Sequence, residues 1–401
     1  MRTFLAGGEP AVPGAFGPDA RAAAGAWKAA GTFPFPLVKW AGQQEVPVRL
    51  PDGRVLAAGG ASALLTALDG SALYDPADGS WAPTGPLRQA RRLHSLTVLA
   101  DGRVLAVGGI PGPQAYPPPA LTTVELYDPA TRTWTPTGGL NEARYGHSAT
   151  LLSDGRVLVA GGERPRSPGT PGTLASAEVY DPVTAAWTRT GEMSDARWHH
   201  GAVALPDGRV LAVGGITTTG PVRAGSVGVC ETYDPQSGTW TPAGTLRRAR
   251  FAHQTVLLPD GTVLAVGGCD PWSADDARFD PYSLSSVERY DPVGGAWYPE
   301  PPLPWGRGYH RALLLDSGEV LVCGGADSAC LDVGFASALR YDPLARVWSP
   351  AGPMRTGRWS FGAALLGDGR VLAVAGVTRS GVAAPALGAD VPAVVAEVFT
   401  P

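Results

Sequence analysis

The sequence predicts an all-β chain closed into a ring, a β-propeller of seven four-stranded antiparallel blades. Three observations carry that expectation. First, "DGRVLAVGG" or a near copy recurs, its first terminal Gly at Gly59, Gly108, Gly161, Gly214, Gly267 and Gly324, with Ala375 in that place in the seventh copy. The copies are 49 to 57 residues apart. Second, each of the first six is followed by a Tyr and, seven residues on, a Trp: Tyr74/Trp81, Tyr127/Trp134, Tyr180/Trp187, Tyr233/Trp240, Tyr290/Trp297 and Tyr341/Trp348. Third, the 54 Gly and 39 Pro fall periodically between short apolar runs, as in turn-rich β structure. A period near 50 with Gly-Gly, Tyr and Trp at fixed offsets is the sequence form of a propeller blade.

The copy around Gly214 illustrates one blade. "HGAVAL" (200–205) is strand a, nearest the ring axis, and Asp207-Gly208 form a hairpin turn in which Gly tolerates positive φ. "RVLAVGG" (209–215) is strand b, apolar on both faces because blades cover both. Its paired Gly let a neighbour approach closely. "VCETYDP" is strand c, with a turn at Asp234-Pro235. "TWTPAG" is strand d, whose Trp240 offers its ring to the gap between blades.

The ends predict how the ring closes. Trp27 in "AWKAAG" reads as a strand d with no blade before it, and "AEVFTP" at 396–401 as a strand c with no Trp strand after it. Joining them completes the last blade and removes exposed sheet edges. The propeller then spans 27–401, and residues 1–26 form an extension outside the ring. "RTFLAGG" near Leu5 imitates the strand-b motif and is the candidate relic of an eighth blade.

Composition narrows the functional classes. The chain has 401 residues, 17% of them charged, and a net charge of -4; no basic tract marks a nucleic-acid or membrane surface. Cys230, Cys269, Cys323 and Cys330 do not repeat with the blades and form no C-x-x-C pair, so they read as thiols in a reducing compartment. There is no 18-residue apolar run and no sustained hydrophobic signal core. The expectation is a cytoplasmic monomer without a resident cofactor or metal.

On the motifs above, from Trp27 onward, the chain resembles the kelch-repeat family. The resemblance implies a kelch-type propeller, with the d-to-a turns and b-to-c loops beside the mouth of a central channel. It implies no single activity, because the family includes binding proteins, copper oxidases similar to galactose oxidase, mutarotases and lyase-like enzymes.

Two rings of residues are expected at that mouth. Seven residues before the hairpin turn stand Glu45, His94, His147, His200, His253, His310 and Phe361. Three residues earlier stand Gly42, Arg91, Arg144, Arg197, Arg250, Arg307 and Arg358. The rings can be structural, tying adjacent blades through backbone carbonyls. Alternatively, with few acids recurring beside them, the arginines can grip a carboxylate or phosphate. After the Arg position come Arg92, Tyr145, Trp198, Phe251 and Trp359. Before the His position come Gln44, Leu93, Gly146, His199, Ala252, Tyr309 and Ser360, where His199 and Tyr309 break the pattern. Alternating aromatic and basic groups suit a planar or partly apolar ligand with an anionic or carbonyl group. The b-to-c loops vary most, above all 269–286, whose acids match no calcium loop.

"RGYHRALLLDSGEVLVCGG" (307–325) is similar to the segment of galactose and glyoxal oxidases that supplies an axial Tyr and a copper-binding His. The resemblance passes those roles to Tyr309 and His310. The family site also needs a second Tyr cross-linked to a Cys and a His from a further domain. No other copy has Tyr at the pre-His position, and the chain ends with the ring, so the copper-radical site is incomplete; His199 and His200 are the remaining nitrogen candidates.

Four functions are therefore compared. The first is a non-redox enzyme of isomerase, cyclase or lyase type acting on a small anionic or carbonyl-bearing molecule. In it His199, Tyr309 and His310 are catalytic, and Arg91, Arg144, Tyr145, Arg197, Trp198, Arg250, Phe251, Arg307, Arg358 and Trp359 bind the ligand. The second is a binding module for an acidic peptide or protein segment. The third is a sugar-binding or mutarotase-like protein, and the fourth a copper oxidase. A deep pocket holding both His199 and Tyr309 favours the first; a broad face without them favours the second.

Overall fold

The computed structural model describes residues 25–37, 47–113, 119–165, 172–219, 223–270, 283–327, 333–380, 383–384 and 390–401. Gly42, Gln44, Glu45, Cys330, the segment around Leu5 and most of the 269–286 loop lie outside the described residues.

Seven four-stranded antiparallel sheets form the blades. Blade four is representative, with strands a to d at Gly201–Ala204, Val210–Val213, Val229–Asp234 and Thr239–Thr245. Its register sets Val210 opposite Tyr233 and Tyr233 opposite Trp240. The last blade takes strands a to c from Gly362–Leu365, Val371–Val374 and Val395–Thr400, and its strand d from Ala26–Thr32 at the other end of the chain. Trp27 pairs with Phe399 there, ring centroids 5.2 Å apart, as the Tyr–Trp pairs stack in the other blades. The ring thus closes non-covalently, as the sequence predicts.

The core is divided among the gaps between blades. Strand b is fully buried in every blade, because neighbours cover both of its faces. Each gap holds one apolar cluster; that between blades four and five joins Leu211, Val213 and Ala243 to Val263, Ala265, Tyr290 and Trp297. Most strand-d Trp indoles also donate across a gap, as Trp240 does to the Gly191 carbonyl at 2.9 Å.

The terminal Gly pair of strand b is where one blade grips the next. A Cβ on Gly161 would lie 2.4 Å from the Arg197 carbonyl oxygen and 3.0 Å from the His200 ring. Beside it, Gly162 donates its N–H to that same Arg197 carbonyl at 2.9 Å. Matching bonds run from Gly60 to Arg91, Gly109 to Arg144, Gly215 to Arg250, Gly268 to Arg307 and Gly325 to Arg358. The Gly pair is thus a socket for the d-to-a turn of the following blade.

Candidate functional site

The d-to-a turns converge around the axis, as expected. The residue before each His position has φ between 49° and 62° in Leu93, Gly146, His199, Ala252, Tyr309 and Ser360, which makes the sharp corner into strand a. Their backbones are joined blade to blade: Gly146 N–H donates to Leu93, His199 to Gly146, Tyr309 to Ala252 and Ser360 to Tyr309, at 2.9–3.1 Å. These bonds make two arcs of peptide groups, one ending at His199 and one running from Ala252 through Tyr309 to Ser360, so His199 and Tyr309 lie two blades apart on the collar of turns.

The arginines do not face the opening. Arg91, Arg144, Arg197, Arg250, Arg307 and Arg358 are all 0% exposed. Arg197 extends into its own blade, where it donates to the Gly214 and Val229 carbonyls at 3.1 and 2.7 Å and to Glu231 Oε1 at 2.7 Å. The same contact joins Arg91 to Glu125, Arg144 to Glu178, Arg250 to Glu288 and Arg358 to Glu397. Each Glu also accepts two backbone N–H groups of the turn leading to its Arg, such as those of Ser194 and Asp195 onto Glu231. The expectation that few acids recur beside the Arg ring is corrected: an acid recurs two residues before the aromatic residue of strand c in five of the seven copies. In blade six Leu339 holds that place, and Arg307 donates to the carbonyls of Gly324 and Ser337 and to the Ser337 hydroxyl. Burial pulls the guanidinium pKa down in Arg91, Arg144, Arg197, Arg250 and Arg358, and the adjacent carboxylate opposes it. Sealed in this way, these side chains give the mouth no guanidinium with which to hold an anion; they are struts of the turn.

The His ring consists of pegs in the gaps between blades. His200 lies against Gly161 of the preceding blade, and its Nε2 is 2.9 Å from Ser148 Oγ there. His147 meets Ser95 in the same way at 3.0 Å. In the next gaps Gly201 and Gln254 replace the Ser, and among the described residues neither ring nitrogen of His253 has a hydrogen-bond partner. Phe361 fills the equivalent space against Gly324 with no nitrogen at all, so the position requires shape rather than a hydrogen bond. Burial lowers the His200 pKa to about 3 and holds those of His147, His253 and His310 well below the ordinary value.

The remaining candidates form two aromatic groups on the loop face. Trp198 meets Tyr145 edge-on at 6.2 Å and His199 at 4.2 Å. Tyr309 meets Trp359 at 5.8 Å. Tyr145 and Trp359 are buried, whereas Trp198, Phe251 and Tyr309 are half-buried. Burial lowers the His199 pKa to about 4 and raises that of Tyr309. No hydrogen bond joins His199 to Tyr309, and the ring of His310 points into the gap against Gly267 rather than onto the collar. Among the described residues no three His, Cys, Asp or Glu side chains are grouped to hold a metal ion. With the His310 ring turned into the gap, Tyr309 and His310 do not converge as the pair that the copper-oxidase resemblance implies. Cys230, Cys269 and Cys323 are buried outside any disulfide, and among the described residues no helix is long and apolar enough to cross a membrane.

The Arg, His and Gly-Gly positions are blade joints, and comparison with known proteins finds the same repeat. A kelch motif is recognised over residues 91–141, 143–194 and 250–304. Kelch-like protein 34 of Homo sapiens is 30% identical over 269 residues, which are 66% of this chain and 37% of that protein. Alpha-scruin of Limulus polyphemus is 28% identical over 206 residues, 51% of this chain and 21% of that protein. The chain thus spans little more than a third of the length of these relatives, or less. Among solved structures, a copper-bound fungal alcohol oxidase of the AA5 family superposes with a TM-score of 0.69 at 19% identity, over 94% of this chain and 76% of that one. That likeness concerns the fold alone. With its motif, its relatives and its seven closed blades in agreement, the chain belongs to the kelch-repeat β-propeller family.

Proposed function

We propose that the protein is a binding module that takes up a segment of another protein on its loop face. The observation behind this reading is that the groups best suited to chemistry are built into the blade joints. Six guanidiniums are sealed into their own blades, and five with acids. The pegs His147, His200, His253 and His310 are buried and held neutral. The d-to-a turns leave Trp198, Phe251 and Tyr309 partly exposed beside variable loops, together with the basic side chains Arg92, Arg247 and Arg248. A rigid ring presenting aromatic side chains and variable loops suits recognition of a protein surface. The partner need not be acidic, because the basic crown that motivated an acidic partner is internal. The similarity to Kelch-like proteins agrees with a binding role. Three buried cysteines outside disulfides agree with a cytoplasmic setting.

The non-redox enzyme reading has less support, since His199 and Tyr309 share no hydrogen bond and each is packed against a Trp. Native mass spectrometry of protein purified from its own organism separates the two. Binding predicts a retained protein that is lost from the Trp198→Ala and Phe251→Ala variants while thermal stability changes little. A stoichiometric small molecule that is chemically altered on incubation, with no protein partner, would overturn the proposal.

A further inference from the structure

Blades five and six break the repeat together at the end of the strands opposite the d-to-a turns. A cleft of about 550 Å³ lies between them, with Arg289, Tyr298, Glu300 and Arg346 in its lining. Other joints show what the same positions need for packing alone. Thr84, Thr137 and Thr190 stand in the place of Glu300, and each meets the Tyr hydroxyl of the next blade at 2.7–2.8 Å. Leu73, Leu126 and Val179 stand in the place of Arg289, and Ala82, Thr135 and Thr188 in that of Tyr298. Blades therefore join at these positions without a charge or an exposed ring.

The departures hold one guanidinium in place. Glu300, its side chain 3% exposed, accepts the Tyr341 hydroxyl at 2.6 Å and Arg346 Nε at 2.8 Å. Arg346 reaches it from the c-to-d turn of blade six, and its Nη2 donates to the Pro299 carbonyl at 3.2 Å. It does so at φ 55°, where Gly79, Gly238 and Gly295 stand in three other turns. A non-Gly residue in that region is a local cost that the surrounding structure must hold in place. Yet the Arg346 side chain stays 54% exposed, unlike the sealed arginines of the struts. The other charges of the cleft are committed. Arg289 donates to Thr262 Oγ1 at 2.8 Å and to the Pro343 carbonyl at 3.3 Å, and pairs with Asp260. Asp291 caps its own turn by accepting the Val293 N–H at 2.9 Å.

Apolar surface surrounds this guanidinium. Of the eight exposed large apolar side chains among the described residues, four belong to these two blades: Val293, Tyr298, Leu344 and Val347, at 96%, 52%, 92% and 53%. Tyr298 lines the cleft, and the other three lie within two residues of Asp291 or Arg346, which also line it.

We propose that this cleft is a second docking surface, which takes a protein segment carrying a carboxylate beside a bulky apolar side chain. Arg346 is fixed at its base by Glu300 and open at its outer edge, so a carboxylate can meet it through paired N–H donors. The neighbouring apolar side chain covers Tyr298, Leu344 and Val347. Tyr and Arg within an apolar surround are the residue types that carry most of the energy of protein interfaces. A basic segment would instead set its charge against the most exposed cation of the cleft. The surface lies at the opposite end of the strands from the loop face, so it stands independently of binding there.

The test uses a random heptapeptide library displayed on phage and selected on the intact protein. Enriched peptides are then made with a fluorophore for anisotropy titrations. One group of peptides is expected to carry Asp or Glu within two places of a bulky apolar residue. For that group Arg346→Ala and Tyr298→Ala should each weaken binding at least about tenfold, whereas Trp198→Ala on the loop face should change it less than about twofold. Leu344→Asp leaves the Glu300 pair intact and should weaken the same peptides at least about fivefold, which keeps the test decisive if Arg346→Ala fails to fold. If no enriched peptide responds to Arg346→Ala, Tyr298→Ala or Leu344→Asp, or if nothing is enriched, the proposal is overturned; peptides that respond to Trp198→Ala alone belong to the loop face. Self-association that Leu344→Asp removes, measured by light scattering, assigns the surface to a second copy and likewise overturns it.

Discussion

Replacing Glu231 with Gln tests whether the arginines are struts. The Arg197–Glu231 pair is buried, with side chains 0% and 2% exposed. The carboxylate also accepts the Ser194 and Asp195 N–H groups at 2.8 and 3.5 Å. Gln preserves the shape but leaves a buried guanidinium without its counter-charge. Removing one partner of such a pair costs about 3–5 kcal/mol. Arg197 keeps the Gly214, Val229 and Asp195 carbonyls, so the lower end, about 3 kcal/mol, is expected. With a urea dependence of about 3 kcal/mol per molar for a large domain, the unfolding midpoint should fall by about 1 M. Equilibrium unfolding followed by far-UV circular dichroism reads this directly. Arg197→Met combined with Glu231→Leu should recover most of the loss, since an apolar pair can replace a buried ionic one. Leu339 already occupies the Glu position in blade six. A midpoint for Glu231→Gln within about 0.2 M of wild type would refute the strut argument, as would lost ligand binding at unchanged stability.

Three further outcomes concern the joints. His253 is buried neutral, without a hydrogen-bond partner among the described residues, and its folded pKa lies below the ordinary value. Its contribution to stability is complete above the unfolded pKa of about 6.5 and is lost as pH falls toward the folded value. His253→Phe, which copies the natural Phe361 peg, should fold and should lessen the drop in stability between pH 7.5 and 5, read by urea unfolding, by up to about 2 kcal/mol; an unaltered pH dependence would contradict the peg reading. Gly161→Ala drives a Cβ to 2.4 Å from the Arg197 carbonyl at φ 64°, and should cost on the order of 3 kcal/mol by calorimetry. Ala375→Gly, in the copy that naturally departs, should stay within about 1 kcal/mol of wild type.

The fold was legible because each blade repeats its instructions. Hairpin Asp-Gly, apolar strand b, Tyr-Asp-Pro and Trp specify the strands locally, and Trp27 and Phe399 betray the closing pair at the two ends. The Arg and His positions were legible too, but their direction was not. Arg197 and Glu231 are 34 residues apart, and only the pairing of strands b and c brings the carboxylate under the turn. The signal was present in the Glu two places before Tyr127, Tyr180, Tyr233, Tyr290 and Phe399. In blade one Ala72 stands in that place and Gly42 in the Arg place, so both halves of the strut are missing together. The recess lined by Phe33, Phe35, Leu64 and Val394 left no periodic trace, because it is made where the repeat is interrupted and three distant stretches meet.

The Gly-Gly socket gives every ordinary joint the same plug and the same receptacle. A unit of this design can be duplicated or lost without inventing a new connector, since each copy already fits any other. Only the meeting of the two chain ends needs bespoke parts, and Ala375 stands there in place of the first Gly. Change in such rings should therefore gather at the seam, which makes it the natural place for a new capability to arise without disturbing the other six joints.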